Sequence, residues 1–191
     1  IKNIRHYPIS LKGAFHYMHI TDEQLATYKK QGFLIVENFL SKAEQEAALD
    51  GIFSHFAPPY ERWAANNQEN DTANQWLFPW DHSGLNHVTT HPDLVSAGER
   101  VLGTREIRLG EGHLGMKYAG QQHNTNFHID YGNNTLGPLI DPDDFMHLAC
   151  FYCFDDVTID TAPIRMVPNG HPDEEFVAMV VPGGSVCLYS V

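Results

Sequence analysis

The sequence predicts an antiparallel β-sandwich or barrel with helices packed at its N-terminal end, and three observations carry that expectation. From Arg105 onward the chain consists of short β-branched and aromatic runs separated by Gly, Pro, Asn and Asp, with no helix between them. Before that point it carries two capping signals, a Thr or Ser three residues ahead of a Gln or Glu, each opening an apolar stripe. With 191 residues, 42% of them hydrophobic, it is long and apolar enough to fold as one domain around one substantial core.

In order along the chain, Thr21 with Gln24 caps a first helix whose stripe includes Leu25 and Tyr28, and Gly32 stops it. Phe33 to Val36 reads as a short strand. Ser41 with Glu44 opens a second helix through Ala47, Leu49 and Ile52 towards Phe56, and Pro58 and Pro59 end it. From about Tyr60 to His91 no period holds, and Trp63, Trp76, Phe78, Trp80 and His82 are spread among Asn, Gln and Asp. A loop that long and aromatic reads as a binding rim or as a plug for the core, and Trp76, Phe78, Trp80 and His82 are the candidates for contact with a substrate. His87 and His91 lie at its end, but their spacing with His82 supports no second metal site by itself. Pro92 starts a third helix through Leu94, Val95 and Val101, closed by Gly103. Strands are then expected in Arg105 to Tyr118, His147 to Phe154, Ile164 to Val167, Phe176 to Val181 and Ser185 to Val191.

Lys and Arg number 12 against 24 Asp and Glu, a net charge of −12 with histidine neutral. That sign argues against nucleic acid or an anionic membrane as a partner, because clustered cations bind both. No apolar run reaches the roughly 18 to 20 residues of a membrane span, and the first residues lack the pattern of a secretory signal. A soluble cytoplasmic protein is expected, with Cys150, Cys153 and Cys187 as reduced thiols. Cys150 and Cys153 are three apart in a strand-like run and so face opposite sides, which disfavours a redox or zinc pair. The chain opens on Ile1 and stops within an apolar strand pattern, so part of the fold is expected beyond Val191.

The strongest chemical constellation is His128-Ile129-Asp130. Positions i and i+2 of an extended segment project to one side, so the imidazole and the carboxylate can meet one cation or hydrogen-bond one another. Two histidines and one carboxylate on one face of a metal leave places open for a cosubstrate and dioxygen, as in non-haem Fe(II) oxygenases. The preceding run adds Glu111, His113 and Lys117 on one face, with Leu114 and Met116 on the other. An ammonium on a lumen face would attract an anionic cosubstrate; the alternative is a solvated face. No phosphate-binding glycine loop or serine-hydrolase elbow is present.

These segments resemble the phytanoyl-CoA dioxygenase family of Fe(II)- and 2-oxoglutarate-dependent oxygenases. Residues Gln31 to Leu40 are similar to its N-terminal Gly-Phe strand, and Met116-Lys117-Tyr118 ahead of His128-Ile129-Asp130 to its lysine strand and metal triplet. Phe154 to Val157 and Thr161 to His171 resemble its acidic turn and its Pro-Gly-Ser-His turn, and Pro182 to Tyr189 the glycine turn and strand leading to the last ligand. The resemblance implies a double-stranded β-helix, a jelly-roll barrel over 104–191, behind a cap of helices and loop over 1–103. It implies Fe(II) held by His128 and Asp130, with the third ligand and the arginine for 2-oxoglutarate expected after Val191. His171, which the resemblance places in a turn, is the less favoured third ligand. Lys117 and His113 would face the cosubstrate.

The implied reaction hydroxylates a small molecule with dioxygen while 2-oxoglutarate is decarboxylated to succinate. Related halogenases lack the carboxylate, so Asp130 favours hydroxylation. Two other readings stay open: a non-catalytic jelly-roll binding module, and a metal-dependent isomerase or epimerase on the same barrel. The substrate and the oligomeric state are not legible.

Overall fold

A computed structural model describes residues 20–56, 78–109, 112–118, 126–128 and 148–190. Helix α1 (Asp22–Gln31) begins at a complete capping box: Gln24 N–H donates to Thr21 Oγ1 at 3.1 Å, and Thr21 N–H donates to Gln24 Oε1 at 2.8 Å. It ends at Gly32, whose φ of 84° is the left-handed conformation that glycine adopts without strain. Strand β1 (Phe33–Val36) leads to α2 (Lys42–His55), opened by the box of Ser41 and Glu44. Two short helices follow, α3 (Ser83–Thr89) and α4 (Pro92–Leu102). The strands are β2 (Leu148–Cys153), β3 (Arg165–Met166), β4 (Val177–Ala178) and β5 (Ser185–Ser190).

β5 is the centre of a three-stranded antiparallel sheet, with β1 on one side and β2 on the other. Leu188 stands opposite Leu34 on one flank and Cys150 on the other. Because alternate residues face opposite ways, the sheet serves two cores. Leu34, Val36, Val186 and Leu188 meet Ala48, Ile52, Leu85, Val88, Ala97 and Val101 of the helices. Phe33 and Cys187 face Met179 and Val181, with Ile164 and Met166 packed around them. Cys150 belongs to the first core and Cys153 to the second, as alternation requires. All three thiols are free, and burial pushes Cys150 up to about 11 and Cys187 up to about 12, which makes them poor nucleophiles.

Two expectations need correction. The stretch from Tyr60 to His91 contains α3, which no sequence period announces because it spans only seven residues and is capped by a histidine: His82 Nδ1 accepts from Gly84 N–H at 3.2 Å. The run from Arg105 to Tyr118 joins no sheet among the described residues, and Gly112 and Gly115 weaken it as a strand. Its alternation nevertheless holds, since Leu114 and Tyr118 are buried while His113 and Lys117 are exposed. Of the expected barrel, the described residues form two open sheets. The second sheet is only β3 paired with β4, two residues each, and Val157 and Val181 form an isolated bridge.

Glycine lets α2 and α3 approach closely. A Cβ on Gly84 would lie 2.3 Å from the carbonyl oxygen of Ala47, a backbone atom that cannot swing aside. Gly84→Ala gains up to about 1 kcal/mol of helix propensity, but overpacking costs about 1–3 kcal/mol. The variant is expected to be less stable, read as a lower urea midpoint at unchanged slope.

The turn into β5 is tied from several sides. Gly184 N–H donates to Cys153 O at 2.7 Å, and its own carbonyl accepts from Leu40 N–H at 2.9 Å. The amide of Gln45, a buried polar side chain on α2, donates to Phe154 O at 2.6 Å. Asp156 Oδ1 accepts from Gly183 N–H at 2.7 Å. The residues between β2 and β5 are thereby fixed to the first turns of α2.

Candidate active site

Of the H-x-D triplet, His128 is described and Asp130 lies outside the described residues. The His128 ring is exposed, and its Nδ1 sits 2.8 Å from the carbonyl oxygen of Asn126. A carbonyl only accepts, so Nδ1 carries the proton and Nε2 the lone pair. This tautomer, with one nitrogen tied to a backbone carbonyl, is the arrangement that orients a metal-binding imidazole. The donor chemistry of His128 therefore fits Fe(II).

The neighbouring Phe127 is held from the other side. The Arg165 guanidinium of β3 lies over the Phe127 ring at 5.0 Å and over the Phe176 ring at 5.4 Å, and the two rings are 6.0 Å apart. A cation on two aromatic faces anchors residues 126–128 to the β3–β4 unit. Nothing in the local pattern around Arg165 signals this contact, which joins residues far apart in the chain.

Lys117 reaches the same unit from the other segment. Its ammonium donates to Ala162 O at 2.8 Å, and Ala162 has a φ of 53°, a left-handed turn just ahead of β3. Partial burial lowers the Lys117 pKa from its ordinary value, opposed by the nearby Cys153 thiol. An incompletely solvated ammonium gains more from an anion than one in bulk water does. His113 is exposed on the same face as Lys117, and Glu111 lies outside the described residues.

The four aromatic-loop residues are placed unequally. Trp76 lies outside the described residues, and Phe78 is 40% exposed. Trp80 is 5% exposed, with its indole N–H donating to Thr89 Oγ1 at 3.0 Å, and a Cβ on Gly112 would stand 3.2 Å from its ring. His82, besides capping α3, lies 3.2 Å from Asp50 Oδ2. His171 sits after the turn that follows β3, with Nδ1 2.7 Å from Glu175 Oε2.

A second cluster joins the helices. Glu44 Oε1 lies 2.8 Å from His87 Nε2 and 3.2 Å from His91 Nε2, while Oε2 accepts from the Ser41 hydroxyl and N–H at 2.7 and 2.8 Å. Burial alone would raise the Glu44 pKa, but the bonds from His87 and Ser41 and the nearby His91 hold it at about 2, so it is a carboxylate at neutral pH. The capping pattern locates Glu44, but it does not show which histidines turn towards it.

A family model described as phytanoyl-CoA dioxygenase (PhyH) matches residues 28–184. Among solved structures the chain is similar to the non-heme alpha ketoglutarate dependent epimerase SnoN from nogalamycin biosynthesis, with a TM-score of 0.56 and 15% identity over 88% of this chain and 71% of that one. At that identity the likeness concerns the fold. No curated protein sequence matches the chain. Among the described residues no helix is long and apolar enough to cross a membrane.

Proposed function

The chain belongs to the phytanoyl-CoA dioxygenase family, whose cofactors are Fe(II) and 2-oxoglutarate, and from that premise we propose that it hydroxylates a small molecule. The reaction takes a substrate C–H bond, 2-oxoglutarate and dioxygen to C–OH, succinate and carbon dioxide. One oxygen atom enters the alcohol and the other the succinate. In this reading the two open sheets are parts of a double-stranded β-helix, and His128 and Asp130 hold the metal.

The observation that carries the proposal is the orientation of His128, whose Nδ1 is tied to Asn126 O so that Nε2 is the basic nitrogen. Lys117 supplies positive charge on the exposed face of its segment and fixes an anionic end of the cosubstrate, with His113 beside it. The substrate rim lies at residues 76–82. There Phe78 offers exposed apolar surface and Trp80 and His82 brace the loop by their hydrogen bonds, and Trp76 is a further candidate by its place in the sequence.

Adding 2-oxoglutarate to the anaerobic Fe(II) protein is expected to produce the visible charge-transfer absorption of a bound 2-oxo acid, and admitting dioxygen to release succinate. Absence of both overturns the proposal. With a substrate in hand, labelled dioxygen must place its label in the product; a product that is only inverted at carbon, with no added oxygen, overturns hydroxylation in favour of epimerisation. Lys117→Ala is expected to raise the KM for 2-oxoglutarate about tenfold or more, because a hydrogen bond to a charged group contributes about 1.5–3 kcal/mol. Lys117→Arg, which keeps the charge, should restore part of it.

A further inference from the structure

We propose that Glu44, His87 and His91 form a second metal site, distinct from His128 and Asp130, that takes Zn2+ and clamps α2 to α3 and α4. The three side chains come from three places in the chain, yet their ligand atoms all lie within 4.8 Å of one another. Glu44 Oε1 is 2.8 and 3.2 Å from the two Nε2 atoms. Bonds of about 2.0–2.1 Å in a tetrahedral site put neighbouring donors about 3.3 Å apart, near the two distances from Glu44 Oε1, and the two Nε2 atoms lie within 4.8 Å of each other. His87 and His91 are four residues apart, one near the end of α3 and the other capping α4, and the two rings meet edge to face at 5.4 Å. The His87 side chain is 42% exposed and the His91 side chain 9%, which gives an ion a way in past one ring to a largely buried one.

A second observation points to the same place. Among the described residues the Tyr152 hydroxyl on β2 is buried with no hydrogen-bond partner. Its ring packs on Phe39 at 5.9 Å, and Phe39 packs on His91 at 5.1 Å. A buried hydroxyl left without a partner is costly. Three protein donors leave a fourth position on Zn2+ for water, a polar group of the kind that would satisfy such a hydroxyl.

Binding requires each imidazole to be neutral with its lone pair on Nε2. His91 Nδ1 now accepts from Asp93 N–H at 3.2 Å, so its proton is on Nε2. Uptake of the ion moves that proton to Nδ1 and gives up one capping hydrogen bond, a small loss beside a metal–nitrogen bond. Glu44 is already ionised and loses nothing.

The test uses the full chain carrying His128→Ala, so that metal held by the H-x-D triplet does not contribute. Titration with Zn2+, and with Co2+ as an optical probe, is expected to show about one equivalent bound, tetrahedral Co2+ absorption and a raised thermal midpoint. Adding His87→Ala should weaken binding more than about a hundredfold, beyond what loss of an outer-sphere contact costs. Glu44→Gln should do likewise while keeping the capping box, which accepts Gln at that position. Each variant's thermal midpoint without metal shows that it is folded. Failure of the His128→Ala protein to bind either ion overturns the proposal, as does binding that His87→Ala leaves unchanged. Either failure leaves the hydroxylase reading standing, since that reading predicts its own absorption with 2-oxoglutarate.

Discussion

His128→Ala should abolish the absorption of Fe(II) with 2-oxoglutarate and cut succinate formation more than about 100-fold, since loss of an outer-sphere partner alone costs about 10–100-fold. The expectation follows from the position of the ring. It is exposed, it touches the chain through Nδ1 at Asn126 O, and it lies in neither apolar core. Removing such a side chain changes stability by about 0.5 kcal/mol or less, or about 2 °C in Tm for a chain of this size. Loss of turnover with an unmoved Tm therefore separates a ligand from a structural histidine. His171→Ala is the control, being the same residue type, exposed and paired with Glu175. It should retain the absorption; if it loses the signal and His128→Ala keeps it, the metal assignment is wrong.

Leu188→Ala should destabilise the protein by about 2–5 kcal/mol, the range for truncating a fully buried leucine. Against a total of about 5–15 kcal/mol, this is a large share. Leu188 has 0% exposure and stands in the middle strand between Leu34 and Cys150. Among the described residues helices close that face, so little is free to collapse into the space. Urea denaturation should show a lower midpoint with an unchanged slope. Val180→Ala, at a side chain 49% exposed, should move the midpoint little. Equal effects at the two positions would mean that β5 is not the packed centre of the sheet.

Local signals in the sequence proved most legible where the physics is local. Both capping boxes, the stop at Gly32, the proline start of α4 and the strand Phe33 to Val36 stand where spacing and residue type place them. Alternation in 112–118 was readable too, because burial of Leu114 and exposure of Lys117 follow from the period of an extended chain. Ladder formation was not, since it depends on partners elsewhere in the chain. Helix α3 escaped notice because seven residues are too few for a period and its cap is a histidine. In the candidate site, His128 and Lys117 were singled out by residue type and spacing. The guanidinium on Phe127 and Phe176 and the pair of imidazoles on Glu44 were not, because each joins residues that only the tertiary fold brings together.

The middle strand of the main sheet leaves the ribosome after both of its neighbours. Until β5 emerges, β1 and β2 have nothing between them, and a nascent chain can build its helices but cannot seat them on a finished surface. Folding of the helical layer must therefore wait for synthesis of Ser185–Ser190, and a chain released before that point would carry its greasy helix faces into the hands of chaperones.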